Sequence, residues 1–301
     1  MKQITVKVSK FFIICCTITA LLLSLSAAMG QATAPAAKPT LYIVGDSTVC
    51  NPNKGKAGWG DVIAPGFDSS KITVKNVAIG GRSSRSYIEE GRWKQAVLDQ
   101  LKPGDFVFVQ FGHNDGGGFK DTKSATRTSL RGMGDETQDW VNPKTSQTIQ
   151  VHSFGYYMKQ YAREAKAKGA TVVLLSLIPR NDWNKEGTAI VRARPNGYAE
   201  WTEQAAKAEG ALFVDLNEIS AKKLDAIGKA NTTPKYFPEE HTHTSPLGAL
   251  LNAQSVLDGV KALPKSPLAP YILPGQLVAP AVQATAANDP NEQSEAVPMT
   301  N

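Results

Sequence analysis

Cysteine is scarce. Two of the three cysteines in 301 residues, Cys15 and Cys16, are adjacent within an apolar run, which leaves Cys50 alone. A single thiol closes no internal bridge, so a disulfide scaffold is excluded and the fold must be held by its core. Charge is modest at 20% against 42% apolar residues, a balance that excludes a largely disordered or collagen-like chain. Long apolar runs are nearly absent as well. The exception, Phe11 to Ala28, carries no charge, follows Lys2, Lys7 and Lys10, and leads into the small-x-small sequence Ala28-Met29-Gly30. This order predicts a signal peptide over residues 1–30 and a secreted or periplasmic protein, with an uncleaved N-terminal anchor as the alternative. The leader holds three Lys and no acid, so the formal charge of +6 falls to +3 without it. A surplus that small gives no footing to a nucleic-acid partner.

The length suits one large α/β domain or two small ones. Residues 31–39, rich in Ala and Pro, read as a linker that offers nothing to bury. Short apolar runs then recur at Leu41 to Val44, Ile72 to Val77, Phe106 to Val109, Val172 to Leu177 and Leu212 to Val214. Their β-branched content without strict alternation predicts parallel strands buried on both faces. Helical spacing appears over Tyr87 to Leu101, Phe154 to Lys168, Gly197 to Glu209, Glu218 to Ala230 and Leu247 to Leu263. That alternation predicts βαβ units, with helices covering a mostly parallel sheet. Residues 116–149 are long, polar and Gly-rich, and read as a functional or flexible loop. Residues 274–301 read as a disordered tail, which leaves residues 40–273 as one domain.

In such folds chemistry collects on loops beyond the carboxyl ends of the strands. The first of these loops is Gly45-Asp46-Ser47-Thr48, where a hydroxyl on a Gly-containing turn is either a nucleophile or a turn residue. A nucleophilic serine needs a base. Of the four histidines, only His241 and His243 have neighbouring carboxylates, Glu239 and Glu240. Glu240 and His243 are three apart, which lets a carboxylate fix the tautomer of the imidazole. The rival reading is a metal held by His241 and His243 with His113 or Asp115. It is disfavoured because side chains one residue apart on an extended segment diverge, and no His-Glu-x-x-His or Cys-rich spacing is present. His241 is then structural. Gly81 and Asn114 are residue types that donate to a developing oxyanion, or else ordinary turn residues. Gly-x-Ser-x-Gly is missing, which argues against an α/β-hydrolase nucleophile elbow.

Four segments, taken together, are specific. Gly45-Asp46-Ser47, Asn76-x-Ala78-x-Gly80-Gly81-Arg82-Ser83, Phe111-Gly112-His113-Asn114-Asp115 and His241-Thr242-His243-Thr244-Ser245 resemble, in order and spacing, the four blocks of the SGNH (GDSL-type) hydrolases. Gly58-Trp59-Gly60, the run from Gly81 to Ser86, and Gly112 to Gly117 are similar to the rhamnogalacturonan acetylesterase branch. The resemblance covers Thr40 to Tyr271. It implies a flavodoxin-like three-layer αβα sandwich with a central, mostly parallel five-stranded sheet, and a serine esterase without metal or other cofactor. It implies Ser47 as nucleophile, His243 as base, and an oxyanion hole of Ser47 N–H, Gly81 N–H and the Asn114 side chain. The family usually carries Asp three residues before the histidine. Here the residue is Glu240, one methylene longer, with Glu239 as a weaker stand-in.

The implied substrate is acetylated pectic rhamnogalacturonan, an anionic polysaccharide, met by a monomer with no stable membrane association once the leader is gone. Arg82 and Arg85 are the candidate partners of its uronate carboxylates, unless they serve in surface salt bridges. The alternatives are an acetylesterase acting on xylan or small acyl esters, and a non-catalytic carbohydrate-binding envelope protein. The presence of nucleophile, base and both non-serine oxyanion donors disfavours the last.

Overall fold

The computed structural model describes residues 38–278, except residues 121 and 144. The expected signal peptide lies outside the described residues, as do the linker up to residue 37 and the tail beyond residue 278. A compact unit begins at Pro39. Its elements run β1 (Thr40–Gly45), α1 (Trp59–Val62), β2 (Thr73–Asn76), α2 (Ser84–Glu89), β3 (Phe106–Gln110), α3 (Thr122–Ala125), β4 (Thr137–Val141), β5 (Thr148–His152), α4 (Phe154–Ala167), β6 (Thr171–Leu175), α5 (Tyr198–Glu209), β7 (Leu212–Val214), α6 (Leu216–Ile227), α7 (Lys229–Tyr236) and α8 (Pro246–Ala262). No helix among the described residues is long and apolar enough to cross a membrane.

Five strands pair in the order β2-β1-β3-β6-β7, every pair parallel. Because strand side chains alternate between faces, each strand feeds two cores. Leu41, Ile43, Phe106, Phe108, Val173 and Leu175 pack with α1, α6 and α8, whereas Tyr42, Val44, Val107, Val109, Val172 and Leu174 pack with α2, α4 and α5. Burial on both faces explains strands that read as unbroken apolar runs, and it makes the expected αβα sandwich. A fully buried aliphatic side chain of this kind contributes about 1.5–3 kcal/mol. The strand order reverses at β1, which lies between β2 and β3. The loops that leave the carboxyl ends of β1 and β3 diverge there, and the crevice between them is where such sheets hold ligands.

Two expectations need correction. The segment 116–149 is not a structureless loop: it holds α3, and β4 pairs antiparallel with β5 in a hairpin that continues to His152. Mostly exposed polar strands hide this pattern; Trp140 and Val151 are the buried residues of the hairpin and, with the partly buried Ile149, pack onto Ala125 and Leu130. The helix expected from Tyr87 to Leu101 is two pieces, interrupted at Gly91 with φ +72°. Of the expected tail, residues 274–278 are described, and Leu277 lies against the core beneath α8 with its N–H donating to Gln254 Oε1 at 2.9 Å.

Candidate active site

The turn after β1 is built to hold one hydroxyl still. A Cβ on Gly45 would collide with the Val49 side chain and lie 2.8 Å from the Gln110 carbonyl, so only glycine lets the chain turn this close to β3. Asp46, fully buried, accepts from Thr48 N at 2.8 Å and Thr48 Oγ1 at 2.7 Å. Thr48 Oγ1 in turn accepts from Gln110 Nε2 at 2.7 Å, and Gln110 Oε1 from Trp59 Nε1 at 2.8 Å. This chain of four side chains locks the turn to β3 and α1, with Ser47 as the residue left facing the cleft. Burial pushes the Asp46 carboxyl up to about 6, against the lowering effect of its bonds to Thr48.

The segment before α8 is clamped from two sides. Ala57 N donates to Thr244 O at 3.0 Å and Thr244 Oγ1 to Ala57 O at 2.9 Å, while Ser245 caps the helix by accepting from Gly248 N at 3.2 Å. Pro246 at the first helical position suits that start. His243 is thereby held with Nε2 at 2.7 Å from Ser47 Oγ, across 196 residues of sequence. Its Nδ1 lies 2.6 Å from Glu240 Oε1. Glu240 is itself fixed, accepting from His243 N at 2.6 Å and from Thr242 N at 2.7 Å. Partial burial raises its pKa, but the two backbone N–H groups and the imidazole outweigh this and hold the carboxyl below its usual range. It stays ionised, as a group must to orient an imidazole and stabilise imidazolium. Glu239 is not part of this chain. It is exposed and pairs with Lys56 Nζ at 2.6 Å. His241 also turns away, its Nδ1 at 2.8 Å from Asp182 Oδ1.

Gly81 and Asn114 line the same cleft as Ser47 and His243, a cavity of about 590 Å³. Gly81 has φ +77°, a conformation costly to any other residue, and among the described residues neither its N–H nor that of Ser47 is spent on a turn hydrogen bond. Asn114 Nδ2 donates to Arg82 O at 2.9 Å, which orients the amide and leaves its second proton for the cleft. The next residue, Asp115, is fully buried and ties this loop to the start of α2 by accepting from Ser84 Oγ at 2.5 Å and from Ser129 Oγ at 3.1 Å. Burial pushes its carboxyl up to about 7 despite those bonds.

The two sequence-predicted arginines are not where substrate would meet them. Arg85 is 0% exposed: Nη1 donates to Ala125 O and Thr128 O, Nε pairs with Glu89 at 2.8 Å, and the guanidinium lies 5.1 Å from the Trp140 ring centroid. It is a structural strut under the hairpin, so its assignment as a substrate contact is corrected. Arg82 is spent on Glu90 and the Gly80 carbonyl, both at 3.0 Å, and does not line the cleft. The guanidinium in the cleft belongs to Arg127, whose Nη1 lies 4.0 Å from where a Cβ on Gly81 would be. It forms no salt bridge among the described residues. Sequence reasoning missed it because no spacing ties it to the four blocks; the one available signal was its place in the long polar segment.

A parallel sheet with a hydroxyl, an imidazole and a carboxylate in series beyond its carboxyl edge defines a carboxylic ester hydrolase of the SGNH type. Residues 43–251 match the GDSL-like Lipase/Acylhydrolase family, and the chain belongs to it, in the rhamnogalacturonan acetylesterase-like branch. Over 221 residues it is 39% identical to the rhamnogalacturonan acetylesterase of Emericella nidulans, covering 73% of this chain and 84% of that protein. It is 31% identical over 229 residues to the probable rhamnogalacturonan acetylesterase YesY of Bacillus subtilis, covering 74% and 93%. The crystal structure of protein YxiM from Bacillus subtilis superposes with a TM-score of 0.59 at 26% identity, over 75% of this chain but only 57% of that one.

Proposed function

We propose that this protein removes acetyl groups from acetylated pectic rhamnogalacturonan through an acyl-enzyme on Ser47. The observation that carries the reading is the unbroken series Ser47 Oγ, His243 Nε2, His243 Nδ1 and Glu240 Oε1, with contacts of 2.7 and 2.6 Å. Ser47 Oγ attacks the acetyl carbonyl while His243 Nε2 accepts its proton. The oxyanion is met by the N–H groups of Ser47 and Gly81 and by the Asn114 amide, a donor set in which each member is worth on the order of a hundredfold in rate. Collapse breaks the bond to the sugar oxygen, which takes the proton back from His243. Water, deprotonated by His243, then hydrolyses the acetyl-serine and regenerates the hydroxyl. Glu240 holds the ring in one tautomer and stabilises its charge.

The pectic substrate is supported by the relatives named above and by Arg127, a guanidinium in the cleft suited to a uronate carboxylate. The apolar run of the first thirty residues supports export as the setting of the reaction. Acetate release measured on acetylated rhamnogalacturonan and acetylated xylan at equal acetyl content tests the assignment. A clear preference for the pectic polymer is expected, and equal or better release from xylan would overturn the substrate while leaving the esterase reading intact.

A further inference from the structure

A second cavity, of about 310 Å³, opens on the same edge of the sheet, beyond β3, β6 and β7. The loop after β3 divides it from the catalytic cleft: His113 lines the second cavity, and the next residue, Asn114, lines the first. Four charged side chains face the second cavity, and two of them have ionisable partners. Arg192 is paired with Glu218 at 3.0 Å and Asp225 at 2.6 Å, and Asp182 lies 2.8 Å from His241 Nδ1. The other two, Arg131 and Arg180, have no carboxylate partner among the described residues. Arg180 has only a 3.4 Å contact with the His113 carbonyl, and Arg131 only a 3.5 Å contact with the Asn196 carbonyl. Arg131, an exposed residue, is instead laid across aromatic rings, 5.1 Å from the Trp201 centroid and 5.8 Å from that of Tyr198, which fixes its plane and leaves its donors to solvent or a ligand. Two guanidiniums at one cavity, neither with a carboxylate partner among the described residues, form a site suited to an acceptor-rich anion.

We infer that this cavity is an anion subsite that takes the carboxylate of a second uronate residue on the same polymer chain whose acetyl group lies in the catalytic cleft. Arg131 and Arg180 hold the carboxylate. The inference rests on the pectic reading and extends it: the enzyme would read the charge of the polymer at a distance from the bond it cleaves. Remote binding of this kind favours the polymer over a small ester without altering the chemistry at Ser47.

The test compares three substrates: acetylated rhamnogalacturonan oligosaccharides, the same oligosaccharides with their carboxyls reduced to alcohols, and a small activated acetyl ester. Each is assayed with wild type, Arg131→Met, Arg131→Lys and Arg180→Gln. Arg131→Met keeps an unbranched stem on the two rings and removes the charge. The ratio of kcat/KM on the uronate oligosaccharide to that on the small ester should fall on the order of tenfold in Arg131→Met and Arg180→Gln, through KM, and should recover in Arg131→Lys. On the carboxyl-reduced oligosaccharide the ratio should be the same in all four proteins. Ratios on the uronate oligosaccharide that do not move, or that fall equally on the reduced one, would overturn the subsite. Failure of the wild type to release acetate from any pectic oligosaccharide would instead sink the substrate assignment, and the subsite with it. Because the small ester reports folding and chemistry in every variant, a misfolded Arg180→Gln would leave Arg131→Met to decide.

Discussion

Glu240 is the most informative residue to perturb, because its carboxylate serves three donors at once, at 2.6, 2.6 and 2.7 Å. Glu240→Gln preserves shape and removes charge. In either orientation its amide sets a donor against a donor: Nε2 faces Thr242 N, or it faces His243 N and Nδ1. Hydrogen bonds to charged groups are worth about 1.5–3 kcal/mol each; the orientation that loses fewest sacrifices the bond from Thr242 N, weakens the two from His243 to neutral ones and removes the electrostatic support of imidazolium. A loss of about 3–5 kcal/mol in transition-state stabilisation converts to roughly 10²–10⁴ in kcat/KM. Glu240→Asp, which restores the acid usual in the family, shortens the reach by one carbon–carbon bond of about 1.5 Å. That opens the contact with Nδ1 beyond hydrogen-bonding range on this backbone, so a loss of about 10–100-fold is expected. Glu239→Ala removes only an exposed pair with Lys56 and should leave kcat/KM within about twofold of wild type. The assay is initial-rate hydrolysis of a small activated acetyl ester, with circular dichroism to confirm folding. A fully active Glu240→Gln, or a Glu239→Ala more damaged than Glu240→Ala, would refute the assignment of the orienting acid.

Two further predictions concern stability. Arg85→Met strips the hydrogen bonds from the Ala125 and Thr128 carbonyls and leaves Glu89 without its partner, so a loss of about 3 kcal/mol and a Tm lower by about 5–10 °C are expected, with kcat on the small ester retained; loss of kcat without loss of Tm would show that Arg85 acts at the site after all. Burial, with Arg180 nearby, pushes the His113 imidazole down to about 3, so between that value and its unfolded value near 6.5 the unfolded chain binds more protons, and stability falls with falling pH by up to about 1.4 kcal/mol per unit from this residue. Asp46 and Asp115, pushed up to about 6 and 7, work in the opposite sense, contributing stability at low pH that is lost as pH rises through those values. Urea unfolding of His113→Gln at pH 7 and pH 4.5 should therefore show a shallower acid loss than wild type, and parallel losses would contradict the buried neutral imidazole.

The sheet was legible because its strands are buried on both faces: the runs at residues 41–44, 106–109 and 172–175 carry an apolar side chain at nearly every position, and no other element needs that. Ser47, Gly81, Asn114 and His243 stood out as candidates through the family resemblance of the four blocks around them, and the structure shows close packing and special backbone beside them. Gly45 must clear Gln110, Gly81 must hold φ +77°, and Thr244 must reach Ala57, so these blocks are constrained around the candidate site residues too. The β4–β5 hairpin was not legible. It is stabilised by a few inward contacts around Trp140 and Val151, and most of its other side chains face water, where almost any polar residue serves. Arg82 and Arg85 misled for a related reason: a guanidinium is an equally good strut and ligand, and only the carbonyls of Ala125 and Thr128, some forty residues on, decide which Arg85 is. The helix α7, with Pro234 inside it, escaped because proline ordinarily ends such a pattern.

Acyl trapping tests the central claim most directly. The enzyme would be mixed with excess activated acetyl ester, quenched in acid within milliseconds, digested and examined by mass spectrometry. One added acetyl group is expected on the peptide containing Ser47, at near-stoichiometric yield in a burst, and absent from His243→Ala. An acetyl group on any other residue, or full turnover with Ser47 never modified, would contradict the account.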